Sequence, residues 1–130
     1  MSTFSPYETI HNSIEEMYAL TADSRVAVTV QLFEGKYTSA LFKKGLTTVK
    51  IEQANGGMAI CVSPPGPFKC ILNDPDSTRK TELKYGAGAI PAHVCPRNDY
   101  SDTPARIVFH INEHHAAHAK HIVARIADRF

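Results

Sequence analysis

Five of the seven histidines in this chain fall between His110 and His121. Within that run His114, His118 and His121 follow the i, i+4, i+7 spacing that lines imidazoles along one side of a helix, and imidazoles so placed can bind zinc or copper. The helix that would carry them is expected over 113–130. At about 100° per residue, Ala116, Ala119, Val123, Ile126 and Phe130 gather in one sector, and the three histidines and Arg125 lie away from it. The apolar sector is the one that seeks a core, so the histidines are expected to face solvent. A catalytic metal needs a cleft and partners that orient its ligands, and an exposed helix face offers neither. A solvated polar face is the preferred reading. A metal- or small-ligand-binding protein using His114, His118 and His121 stands as the alternative from a different class.

Other residues with chemical potential are less organised. Cys95 with His93 or His110 would make a thiol and a base, yet no motif surrounds them. Cys61 and Cys70 lie in apolar runs and read as buried structural cysteines. Gly86-Ala-Gly-Ala89 is neither a dinucleotide fingerprint nor a Walker loop, and no helix is expected after it. Ser63-Pro-Pro-Gly-Pro67 reads as a rigid connection between strands rather than a polyproline ligand. With no paired carboxylates standing out either, the expectation is a protein that is not an enzyme and uses no cofactor.

Composition narrows the class further. The chain has 130 residues, 43% hydrophobic and 21% charged, which suits one globular domain over 1–130 with a sizeable core. A formal net charge of +1 supplies no general drive toward nucleic acid or an anionic membrane. The three cysteines form no C-x-x-C pair and leave one thiol over in any intramolecular pairing, which favours a reducing compartment. The start Met-Ser-Thr-Phe-Ser-Pro has neither the basic nor the apolar part of a signal peptide, and no apolar run nears the roughly 20 residues of a membrane span. A cytoplasmic or nuclear location without membrane insertion is expected.

The elements that would position these residues are legible from their periods. Ser5, Pro6 and Glu8 form a capping box with proline at the first helical position, predicting a helix over 5–20. Its apolar stripe is Tyr7, Ile10, Ile14, Met17 and Tyr18, and Thr21 to Ser24 end it. From Arg25 the period changes to two: Val26, Val28, Val30 and Leu32 point one way, and Ala27, Thr29, Gln31 and Phe33 the other. A turn at Glu34-Gly35-Lys36 leads to a partner strand Tyr37–Phe42, and further strands are expected at 46–53, 58–62, 68–72, 81–85 and 106–111. Residues 89–95 read as a broken strand. The sum is helix, about seven antiparallel strands, helix, with no helix between strands.

From about Ile14 to Phe130 this order resembles the pleckstrin-homology superfold, nearest its EVH1/WH1 branch, with decapping-type subunits and Ran-binding domains as near alternatives. The matching runs are Val26-Ala-Val-Thr-Val-Gln-Leu-Phe33, Gly35-Lys36-Tyr37, Lys44-Gly-Leu-Thr-Thr-Val-Lys-Ile51 and Ala105-Arg-Ile-Val-Phe-His-Ile-Asn-Glu113. The resemblance implies a mainly β, PH-like barrel or sandwich, capped by the C-terminal helix with the N-terminal helix outside it. It also implies an adaptor that holds a partner protein or proline-rich peptide on exposed aromatics. The corresponding residues here are Phe33, Tyr37, which stands where the family carries tryptophan, and Tyr100. Packing of Phe33 and Tyr37 into a second small core is the competing expectation. A regulatory subunit of the decapping type is a further alternative, still an interaction module.

Overall fold

A computed structural model describes residues 5–22, 25–76, 80–85 and 88–130. Its sheet is antiparallel throughout and built from β1 (Ala27–Phe33), β2 (Lys36–Lys44), β3 (Thr47–Ala54), β4 (Gly57–Ser63), β5 (Lys80–Tyr85), β6 (Gly88–Cys95) and β7 (Arg106–Ile111). Helix α1 (Pro6–Leu20) precedes it and α2 (Ala119–Ala127) follows it. The seven strands lie in the order β1-β2-β3-β4-β7-β6-β5. The chain is therefore mainly β with a helix at each end, an architecture compatible with the PH-like barrel or sandwich expected from sequence.

Cross-strand register explains why one face is apolar. Val28, Phe42, Val49, Val62 and Ile107 form one row across five strands, and Val30, Ala40, Ile51, Ile60 and Phe109 form the next. Because side chains alternate, every one of these residues points to the same side. That face is sealed by Ile10, Ile14 and Met17 of α1 and by Ala119, Ile122, Val123 and Ile126 of α2, all buried. Each fully buried Ile or Met contributes roughly 2 kcal/mol. That outweighs the marginal stability of a short helix alone, so the sheet is what makes both helices persist. The N-terminal helix, expected outside the β body, instead shares one layer with α2.

The N-terminus of α1 is capped as its sequence predicts: the Glu8 N–H donates to Ser5 Oγ at 3.3 Å. The helical stripe is narrower than expected, with Tyr7 and Tyr18 largely exposed and Ser13 buried instead. Asp23 and Ser24, expected in its terminating turn, lie outside the described residues.

Three further expectations change. The strand expected at 68–72 is a 3-10 helix, Gly66–Ile71. Phe68, Ile71 and Leu72 are spaced three and four apart and all are buried, so a helical turn puts them on the core where a strand would split them. The broken strand at 89–95 is continuous, because β7 pairs with β6 only from Ala92 to Cys95 and Pro91 therefore owes no hydrogen bond on that side. The last helix is shorter than 113–130. Asn112 draws the chain into a turn, its Oδ1 accepting the His114 N–H at 2.8 Å and its carbonyl the His115 N–H at 3.0 Å. A 3-10 turn over Ala116–His118 then leads into α2.

Gly57 shows how close the strands approach: a Cβ there would collide with the carbonyl oxygen of Ile111 on β7. Among the described residues no helix is long and apolar enough to cross a membrane.

Two neighbouring positions on α1 test the shared helical layer with opposite signs. Ile14→Ala removes a fully buried side chain and is expected to lower unfolding free energy by about 3 kcal/mol. Ser13 is equally buried and its Oγ finds no hydrogen-bond partner among the described residues, so Ser13→Ala is expected to raise stability by about 1 kcal/mol. Urea unfolding of the two variants checks both.

Candidate functional site

The hairpin β1–β2 turns on Glu34 and Gly35, both with positive φ (51° and 78°), the backbone that a tight two-residue connection requires. Phe33 then faces Lys36, and Leu32 faces Tyr37. Between that pair and the next, Gln31 with Ser39, β2 carries one extra residue, Thr38. Its hydroxyl donates to the Gln31 carbonyl at 3.2 Å and the Ser39 hydroxyl donates to Gln31 Oε1 at 2.9 Å, which hold the bulge in place. The extra residue shifts the alternation by one. Tyr37 therefore points to the same side as Ala40 and Phe42, toward α1, where strict alternation would send it to the opposite face.

On that side Tyr37 meets His11. The two rings stack with centroids 5.3 Å apart and planes at 23°. The Tyr37 N–H donates to His11 Nδ1 at 3.1 Å, and His11 Nε2 lies 3.0 Å from Glu15 Oε1. With Nδ1 accepting and Nε2 donating, the imidazole is the neutral Nε2–H tautomer and is held at both ends. A second tie joins the hairpin to the helix, Lys36 Nζ to Glu8 Oε1 at 3.3 Å.

Between these ties opens a groove of about 500 Å³ lined by Tyr7, Phe33, Glu34, Lys36, Tyr37 and Thr38. Tyr37 is half-buried and forms its fixed wall, while Tyr7 is 57% and Phe33 67% exposed. Phe33 is thus a surface ring and not part of a second core. Tyr7 is the member that sequence reasoning placed elsewhere, among the core residues of α1. Its position in the first turn, ahead of the first fully buried residue Ile10, was the available signal.

Tyr100 does not join this groove. It is fully exposed in the connection from β6 to β7, which enters β7 at Arg106, whereas the turn at Glu34 lies at the end of the sheet where β7 finishes at Ile111. The antiparallel register puts the two at opposite ends.

The histidine run is not one helical stripe. His114 sits in the turn made by Asn112, and only His121 lies within α2 proper, with His118 at its N-cap. His118 and His121 flank the Tyr85 ring at centroid distances of 5.1 and 6.2 Å. Arg125, on the next turn, donates from its guanidinium to the carbonyl of Lys84, so this side of α2 faces the end of β5. Among the described residues no three His, Cys, Asp or Glu side chains are grouped to hold a metal ion.

His93 and His110 do meet, edge to face at 4.8 Å, on the sheet face turned away from the helices. Lys80, His93, Val94, Cys95 and Pro96 line an open depression beside them of about 570 Å³. The Cys95 thiol contacts the His93 carbonyl oxygen at 3.9 Å, and no hydrogen bond joins it to either imidazole among the described residues. Burial pushes the Cys61 thiol up, so it is held as the weakly nucleophilic thiol. Cys70, expected to be buried, is exposed in the 3-10 turn. All three cysteines are free. Gly86 and Ala87 of the discounted glycine-alanine run lie outside the described residues.

Burial, then the neighbouring His93, lowers the pKa of His110 from 6.5; burial, then His114 and His118, lowers that of His115 from the same value. A histidine harder to protonate in the folded chain leaves the unfolded chain binding more protons, so stability falls as pH drops below about 6.5. The melting temperature is expected to decline from pH 7.5 to pH 5, and to decline less in a His110→Gln, His115→Gln variant. Thermal melts across that range check the slope. Compared with known proteins, the chain matches no family model, no curated sequence and no solved structure.

Proposed function

We propose that this chain is a non-catalytic interaction module that holds a partner protein or proline-rich peptide in the groove between α1 and the β1–β2 hairpin. The observation that carries this reading is the convergence of Tyr7, Phe33 and Tyr37 on one open groove, with Tyr37 immobilised against His11. Two rings stand in water and the third is prepaid in conformational entropy. Such a surface gains from any ligand that covers it, and a polyproline helix loses little freedom when its rings settle on flat aromatic faces. Lys36 and Glu34 at the margin of the groove supply polar contacts that orient an extended chain. The reading fits the adaptor that the EVH1/WH1 resemblance implies, with Tyr7 taking the third aromatic place that sequence reasoning gave to Tyr100.

The free thiols and the absence of a membrane-length helix among the described residues support a cytoplasmic setting for such an adaptor.

Binding of a fluorescent proline-rich peptide, followed by anisotropy, tests the proposal. Micromolar affinity is expected, as is a roughly tenfold loss in Phe33→Ala and in Tyr7→Ala, consistent with an exposed aromatic contact of about 1.4 kcal/mol. Both residues are more than half exposed, so neither variant should lose more than about 1 kcal/mol of stability. Tyr100→Ala should bind as the parent does. Failure of the parent protein to bind any proline-rich sequence, or equal loss in Tyr100→Ala, would count against the groove.

A further inference from the structure

On the sheet face turned away from the helices, four side chains able to bind metal surround Val108. Cys61 lies directly across from it on β4 and His93 directly across on β6; His110 follows two residues later on β7, and Cys95 two residues after His93. Only the two histidines meet. Val108 separates Cys61 from His93, and the Cys95 sulfur rests on the His93 carbonyl oxygen, so neither thiol joins them. His93 is exposed and His110 half-buried, with ring centroids 4.8 Å apart and planes at 72°. Among the described residues neither imidazole has a hydrogen bond or an ion pair, which leaves their ring nitrogens uncommitted. Their backbone positions are fixed from the other face, because Ala92 and Phe109, the paired residues just before them, are buried in the core.

The separation of the rings is the one that coordination requires. An ion about 2.1 Å from one nitrogen of each ring, with roughly 90 to 110° between the two bonds, sets the ring centroids about 4.6 to 5.3 Å apart. The 4.8 Å found here falls inside that span. Histidine χ2 is broad, so turning the rings brings one nitrogen of each to a common point with both strands in place. The donor set then selects the ligand. Two imidazoles without a thiolate or a carboxylate suit Cu²⁺, Ni²⁺ or Zn²⁺, and not the oxygen-seeking Mg²⁺ and Ca²⁺ or the thiolate-seeking Cu⁺. Lys80, opposite His93 on β5, lines the depression beside the pair, and its charge favours an anionic donor in the positions that the protein leaves open. We propose that His93 and His110 form a two-imidazole site for one divalent transition-metal ion, open toward the depression to an exogenous ligand.

Titration of the intact, reduced chain with zinc chloride at neutral pH, followed by calorimetry and by the imidazole resonances of the histidines, tests this. One ion per chain with affinity in the micromolar range is expected, and the shifted resonances should be those of His93 and His110. His93→Gln and His110→Gln should each weaken binding at least about tenfold, with unchanged circular dichroism. Should the half-buried His110 variant misfold, the exposed His93 variant carries the same test. His118→Gln, His121→Gln and Cys95→Ser should bind as the parent does, which separates this site from the histidine run and from the thiols. No binding below millimolar zinc, binding that survives both the His93 and the His110 variants, shifts confined to His114, His118 and His121, or loss of binding in Cys95→Ser would each overturn the proposal.

Discussion

A sheet with one apolar face has to be covered, and that requirement governs this molecule. Both rows of branched and aromatic side chains, from Val28 across to Ile107 and from Val30 across to Phe109, point the same way. Neither α1 nor α2 is long enough to cover seven strands alone, and the two lie side by side in contact, with the 3-10 turn that buries Phe68 adding to the cover. The opposite face carries residues such as Lys50, Glu52, His93 and His110, which tolerate water. The groove is a consequence of where this cover stops.

The groove lies at the first turn of α1. Beyond Ile10 toward the N-terminus the helix runs past the last fully buried residue, and Tyr7 projects over the β1–β2 turn with nothing to pack under it but the hairpin. The Thr38 bulge rotates Tyr37 toward that space, and His11 fixes it there with a stacked ring and a backbone hydrogen bond. The aromatic site is thus tied to rigid elements on both sides. Lys36 to Glu8 is the second tie that holds the hairpin against α1.

Much of the fold was legible because period and capping carry it. The Ser5-Pro6-Glu8 start, the alternation in β1 as far as Val30 and the inward Val49 and Ile51 appear as the sequence predicts, whereas Leu32, beside the Thr38 bulge, is 60% exposed. The rest depended on information that periodicity does not hold. Phe68, Ile71 and Leu72 fit a strand or a helical turn over so few residues, and only the nearby sheet decides. Asn112 spends its side chain on a turn, which removed His114 from the helix and dissolved the apparent metal stripe. Phe33 and Tyr37, named from the resemblance, line one groove. Tyr7 lies hidden in an apolar stripe, and Tyr100 stands at the other end of the sheet from the groove, because which end a loop occupies is a matter of strand order.

The proposed function requires that Tyr7, Phe33 and Tyr37 form one ligand-covered surface. Backbone amide shifts recorded by NMR while a proline-rich peptide is titrated into the intact chain address that directly. Changes are expected at Tyr7, at His11 and along Phe33 to Thr38, with the remainder of the sheet unmoved. Shifts centred on Tyr100 or on the His114–His121 run, or none at all, would contradict it.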